Sequence, residues 1–455
     1  MRARGIRSYH RPTRLEDALA LAGQGVVPLA GGTRLLAGAA EVPNVLDLAA
    51  LGLCEIESAD GDLELGALTP LQDVLDSPLA YTTTAGLLPA ACRAHSPSRM
   101  LRGMATLGGE AVTAAHDSEL AAALLALNAV FVVARPDGNV EIPAVRFLRD
   151  PRADLQGGGL VTALFVPGAP QGAALERVAV LPTAPALLSV AVALSFSGGK
   201  CARARVAVTG LAGPPARCTE AEAKLEGTAA AAADVARAAA AVASVAFRSD
   251  AHAPATYRRA VAPVLARRAL ERALVQARRQ APPEVPRCRP VPPSRLPTAL
   301  PYFTSGRVEL NVNGQPLRVE AEARTTLLET LRRAGLWGVK HGCETGECGA
   351  CAVLLDGRPV DSCLTLALRA QGRSVLTVEG LGTPDRLHPV QQAFVDTGAI
   401  QCGYCTPAME LCAKALLDAV PDPTEPEVRD ALAGCLCRCT GYLKPVQAVL
   451  KASGK

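Results

Sequence analysis

The chain has 455 residues, 49% of them hydrophobic and 20% charged, with a formal net charge of only +4. That length suits about two to four domains of ~100–200 residues each, and the small charge argues against nucleic acid or a membrane surface as partner. Residues 1–20 hold no apolar run and no small-residue cleavage site, and no stretch of about 18 uncharged apolar residues occurs, so neither a secretory signal nor a membrane span is expected and the cytoplasm is the expected location.

In chain order, VVPLA (26–30), NVLDL (44–48), LELGAL (63–68), AVFVVA (129–134), LVTALFV (160–166) and RARVAVTGL (203–211) read as strands. LEDALALAG (15–23), ELAAALLALN (119–128), TEAEAKLEG (219–227) and the Ala-rich 228–243 read as helices, so the first part mixes both types. The glycine turn LAGGTRLLAG (29–38) follows a strand and is expected to open a helix, where backbone N–H groups can meet a phosphate. MATLGG (104–109) is a second such turn. An ordinary strand-to-helix turn explains either one equally well, and the Rossmann and P-loop patterns are both absent. Eight prolines between 282 and 301 forbid a helix or a central strand, so 279–304 reads as an extended linker.

Beyond the linker, RVELNV and LRVEAEA flank Asn313-Gly314, a hairpin turn, and AVLL and PVDS flank a second at Asp356-Gly357. Thr326 caps a helix that stops at Gly335, and from 386 onward short helices are expected. The expected architecture is an α+β multidomain protein: 1–278, the linker 279–304, a ferredoxin-like β-grasp at 305–382 and a helical domain at 383–455.

The fifteen cysteines are spread unevenly. Cys54, Cys92, Cys201, Cys218 and Cys288 stand singly and read as small buried side chains. The other ten crowd into 343–439, which in a reducing compartment reads as metal ligation rather than disulfides. Cys343-x4-Cys348-x2-Cys351 with Cys363 has the plant-type [2Fe–2S] spacing, laced with Gly342, Gly346 and Gly349 so the chain can wrap an inorganic core. Structural zinc more often uses two short Cys pairs. Cys402-x2-Cys405 and Cys437-x-Cys439 form a second set, the first pair at the mouth of a helix capped by Thr406 with Pro407 at its first position. The similar runs from Pro389 and Pro445 suggest two related helical hairpins.

GCETGECGAC, QCGYCTPAM and CLCRCTGY closely resemble the iron–sulfur region of the xanthine dehydrogenase/molybdenum hydroxylase family across about 305–450. The resemblance implies [2Fe–2S] clusters on Cys343, Cys348, Cys351 and Cys363, and on Cys402, Cys405, Cys437 and Cys439. It puts the helical cluster nearer molybdenum and the other nearer flavin. Gln401 matches a glutamine that approaches the pterin; from sequence alone it equally well caps the helix. Ala408 stands where glycine is usual, and Cys435 where asparagine is usual.

The order AGGT, LELGAL, RGMATLGG, ELAAALLAL and YRRAVAPVLARRAL is similar to the FAD-binding domain of the same family over about 5–275. It implies that Ala30, Gly31, Gly32, Thr33, Arg34 and Leu35, with Ala105, Thr106, Gly108 and Gly109, wrap the pyrophosphate. Glu119 takes an aspartate's place near the adenosine, and Val161 and Arg177 fall at flavin-lining positions. Glu110 replaces an asparagine, and 181–189 replaces a stretch that usually carries arginine and aspartate.

The expected function is the electron-transfer subunit of a molybdenum hydroxylase, with a molybdopterin-binding large subunit as partner and NAD or another molecule as acceptor. Single-chain relatives commonly place the iron–sulfur part first; here the flavin part precedes it, with no molybdopterin domain. The alternatives are the reductase of a two-component oxygenase, which needs no second cluster, and a zinc-stapled interaction protein. No residue reads as a catalytic acid, base or nucleophile, and His116, His341 and His388 read as turn or surface residues.

Overall fold

The computed structural model describes residues 5–38, 41–59, 61–113, 115–181, 184–279 and 298–454. Most of the expected linker, 280–297, lies outside them, as does Cys288. The chain forms two compact units that do not follow chain order. One gathers the described residues of 1–52, 97–105 and 287–455, and the other those of 53–96 and 106–286.

In the first unit, Ser8–Arg11, Asn44–Asp47 and Val27–Leu29 form a parallel sheet, with the helix Leu15–Gly23 between the first strand and the last in the connection. Leu300–Phe303 adds antiparallel to the outer edge of Ser8–Arg11. Pro301 is tolerated there because an edge strand leaves half its N–H groups unpaired. The LAGG segment leaves its strand but opens no helix. Gly32, at φ +81°, turns the chain out of the right-handed region, and single bonds from Leu36 N to Gly32 O and from Gly38 N to Arg34 O close separate turns.

The β-grasp sheet runs in the order Gln315–Glu322, Ser305–Val312, Ser374–Leu376, Ala352–Leu355, Arg358–Asp361. Val312 faces Gln315 and Leu355 faces Arg358, so both hairpins turn on two residues. Asn313 and Gly314, like Asp356 and Gly357, have positive φ, as such tight hairpins require. Thr326 and Glu329 make a reciprocal capping box at the start of Leu327–Arg333. The helical part follows as Pro389–Asp396, Thr406–Ala419, Glu425–Leu432 and Leu443–Ala452 around Phe394, Met409, Val428 and Val449. His388 caps the first of these by accepting from Val390 N at 3.3 Å.

The second unit holds two antiparallel sheets. One runs Ile56–Ala59, Asp62–Gly66, Leu160–Val166, Val130–Arg135, Gly138–Pro143. The other runs Ala216–Arg217, Lys200–Val208, Leu188–Ser197, Gly172–Val178, and the long helix Ala255–Arg279 packs its alanine and leucine face on it. Among the described residues no helix is long and apolar enough to cross a membrane.

Within the first unit a fully buried guanidinium joins distant segments. Arg102 donates to both carboxylate oxygens of Asp430, at 2.8 and 2.9 Å, and to Pro97 O at 2.9 Å. Arg102→Ala should lower stability by about 2–4 kcal/mol, since Asp430 then loses its fork of donors. Denaturant unfolding of the full chain checks this, and a change within about 0.5 kcal/mol would show that the pair contributes nothing.

Candidate functional site

The eight predicted ligands all fall in the first unit, and the fold brings them together as pairs of thiols. Cys343 hydrogen-bonds Cys348, and Cys351 hydrogen-bonds Cys363. Cys402 pairs with Cys439, and Cys405 with Cys437. Within three of these pairs one thiol is pulled down and its mate pushed up. Burial raises Cys343, but hydrogen bonds from Thr345 and the Cys348 N–H outweigh it and bring it to about 7. Burial pushes Cys348 up. The Tyr404 backbone and the Cys439 thiol lower Cys402, while Cys402 raises Cys439. Burial raises Cys437, but bonds at Thr440 lower it overall; its mate Cys405 is pushed up to about 12, mainly by burial.

Backbone geometry builds the first loop. Gly346 and Gly349 have positive φ, and a Cβ on Gly342 would stand 2.7 Å from Cys348 Sγ. The N–H groups of Thr345 and Cys348 both point at Cys343 Sγ, 3.4 Å away. Such donors stabilise a thiolate. Asp361, fully buried, accepts from Cys351 Sγ at 3.5 Å through one oxygen, while the other finds no partner. Burial raises its carboxyl to about 7. The sequence reading passed over Asp361, although a carboxylate in a buried strand two residues before a ligand is a visible signal.

The second set opens on the helix Thr406–Ala419, whose cap is Cys405 rather than the expected Thr406. Proline is accepted at either of the first two helical positions, so Pro407 could not fix the boundary. With the cap at Cys405, the exposed Gln401 has no capping role. Tyr442 accepts from Cys437 N at 2.8 Å and steadies the closing loop. Cys412 and Cys435 lie 3.6 Å apart, both buried. The Cys412 thiol and burial push Cys435 well up, which suits a neutral packed pair.

The two loops touch. Leu436 N donates to Cys348 O at 3.0 Å, and Tyr404 Oη donates to His341 O. A Cβ on Gly349 would collide with the Gly434 carbonyl, so that approach needs glycine. Leu436 precedes a predicted ligand of the second set and Cys348 is one of the first.

The thiols fit [2Fe–2S] cores. Each iron of such a core takes two protein thiolates, and the thiols come two by two.

The flavin residues divide between the units. In the first, a Cβ on Gly31 would collide with Met104 O and lie 3.1 Å from Ala105 Cα. Among the described residues neither the Gly31 nor the Gly32 N–H meets a protein acceptor, although Gly32 is buried. Orphaned donors in a glycine turn fit a phosphate. In the second unit the N–H groups of Leu107, Gly108 and Gly109 are already bonded to Thr69 O, Ala67 O and Thr106 Oγ1. Gly108 is there for closeness, since its Cβ would come 2.8 Å from that of Ala67. Glu119 and Arg177 pair at 2.9 Å, and Arg177 also holds Ala184 O. Burial raises the Glu119 carboxyl even against Arg177. Val161 is buried in the strand Leu160–Val166.

Four stretches match known families. Residues 4–169 match the FAD binding domain in molybdopterin dehydrogenase, and 182–273 the CO dehydrogenase flavoprotein C-terminal domain. Residues 310–377 match the 2Fe-2S iron-sulfur cluster binding domain, and 377–450 the [2Fe-2S] binding domain. Over 143 residues the chain is 48% identical to the nicotinate dehydrogenase small FeS subunit of Eubacterium barkeri, covering 31% of this chain and 91% of that one. Over 145 residues it is 47% identical to the xanthine dehydrogenase iron-sulfur-binding subunit of Escherichia coli O157:H7, covering 31% and 91%. The structure of a chain of carbon monoxide dehydrogenase from Hydrogenophaga pseudoflava is 28% identical, with a TM-score of 0.56 over 60% of this chain and 98% of that one. The chain belongs to the xanthine dehydrogenase/molybdenum hydroxylase family, as an electron-transfer subunit combining an FAD-binding part with two [2Fe–2S] domains.

Proposed function

We propose that this chain, in the cytoplasm, takes electrons from a molybdopterin-binding large subunit, on which the substrate is hydroxylated, and delivers them to NAD or another acceptor. When bound, the two iron–sulfur centres pass electrons singly and FAD hands them on in pairs. Cys343, Cys348, Cys351 and Cys363 hold one centre, and Cys402, Cys405, Cys437 and Cys439 the other. Ala30 to Leu35, with the Gly31 and Gly32 N–H groups foremost, receive the FAD pyrophosphate. By resemblance Ala105, Thr106, Gly108, Gly109, Glu119, Val161 and Arg177 are further FAD residues.

The observation that carries the proposal is the exposure of the second set. Cys402, Cys439 and Gln401 are exposed, and Ile400, Tyr404, Leu436 and Leu443 stand 38%, 45%, 56% and 58% exposed around them. Large apolar side chains around a redox centre mark a face that a partner covers. Cys351 and Cys363 of the first set are buried. Electrons therefore enter at the outward set and pass inward, where the Leu436 N–H to Cys348 O bond joins the loops.

The purified chain should contain about four irons and four acid-labile sulfides, two of each per centre. Reduction should give two distinct EPR signals, because one centre sits in a β-grasp loop and the other among helices. A single signal, or half the iron, would refute two centres.

Cys348→Ser and Cys437→Ser should each abolish one centre and halve the iron. Cys412→Ser and Cys435→Ser should leave iron content intact, since these thiols pair with each other. Iron lost from Cys435→Ser would mean that the second ligand set is misassigned.

The chain alone should reduce dyes at most, and co-expression with the gene for its large subunit should yield a stable molybdenum-containing complex. Hydroxylation of any substrate by the lone chain would overturn the proposal.

A further inference from the structure

The β-grasp domain reaches into the flavin loop through one side chain. Arg369, on the short 3-10 turn Ala367–Ala370, grips Asp47 with two donors, Nε to Oδ2 at 3.0 Å and Nη2 to Oδ1 at 2.9 Å. Its remaining donors turn to the loop, Nη1 to Gly31 O at 3.3 Å and Nη2 to Ala30 O. Asp47 is itself fully buried and fixed by Tyr9 Oη and by Ala49 N at 3.0 Å. Arg369 is therefore aimed by a rigid carboxylate, and a planar fork can hold that carboxylate and reach the carbonyls together.

The consequence follows from the peptide plane. In a trans peptide the C=O of one residue and the N–H of the next point opposite ways. Drawing the Ala30 and Gly31 carbonyls toward Arg369 turns the Gly31 and Gly32 N–H groups away from it. Neither of those two N–H groups meets a protein acceptor among the described residues. We infer that Arg369 is a positioning residue for the flavin: without touching the cofactor, it aims the loop's N–H donors at the pyrophosphate. This rests on the proposed FAD site, and it ties the flavin's affinity to the integrity of an iron–sulfur domain.

The test compares the full-length wild type with Arg369→Met and Arg369→Lys. Each is measured for iron, for the FAD dissociation constant after removal and re-addition of flavin, and for the visible circular dichroism of bound flavin. Lysine can keep the charge on Asp47 but cannot hold two carbonyls as well. Both variants should keep wild-type iron content, bind FAD about tenfold or more weakly, and show an altered flavin dichroism, with lysine between methionine and wild type. Unchanged FAD affinity in Arg369→Met overturns the inference. Parallel loss of iron and flavin in both variants overturns it as well, since Arg369 would then support the fold in general. A wild-type chain that takes up no FAD would instead refute the flavin site itself.

Discussion

The contact on which the redox arrangement depends is the meeting of two loops at Gly349 and Gly434. No side chain fits there, because a Cβ on Gly349 would strike the Gly434 carbonyl, and one on Gly434 would come 2.4 Å from Ser98 Oγ. That closeness lets Leu436 N reach Cys348 O. A covalent and hydrogen-bonded route then runs from one ligand set to the other without a gap. Larger residues would spread the loops and replace that bond with water or with space.

The same unit is held by buried charge rather than by chain order. Arg102 and Asp430 are 328 positions apart, Arg369 and Asp47 322. Each joins an early segment to the iron–sulfur part. An isolated buried guanidinium is strongly destabilising, so each such pair needs its full set of acceptors to be tolerated. Here the carboxylate and main-chain carbonyls provide them. The early segment thereby packs with a late one, and the compact units depart from the order of the sequence.

Local signals were legible and distant ones were not. Both hairpins, the Thr326 cap and the helix Leu15–Gly23 follow from residues within a few positions of each other, and they form as expected. The cysteine spacing likewise foretold two iron–sulfur domains. The strand Leu188–Ser197 was missed because 181–189 drew notice only as a departure from a family pattern, while the run SVAVALSFS that continues it is strand-like. The LAGG turn was expected to open a helix, since glycine between strand and periodic residues usually does; only the positive φ at Gly32 decides otherwise. Arg369 carried no signal at all. An arginine in a short surface-like turn looks like solvent-facing charge until its partners, more than 300 positions away in sequence, are placed beside it.

The two ligand sets differ in exposure, and that difference has a chemical consequence. Cys351 and Cys363 lie inside the protein, whereas Cys402 and Cys439 are at its surface. Exposed thiolates are the ones that oxidants reach first, and oxidised sulfur no longer ligates iron. An outward centre is nonetheless required if electrons are to arrive from another chain, because a buried one would be out of reach. The exposed apolar side chains Ile400, Tyr404, Leu436 and Leu443 offer a way to meet both demands. On the proposed reading, a partner seated there would remove water and oxidants from Cys402 and Cys439 and bring its own donor close, so the surface that admits electrons would also be the one that association protects.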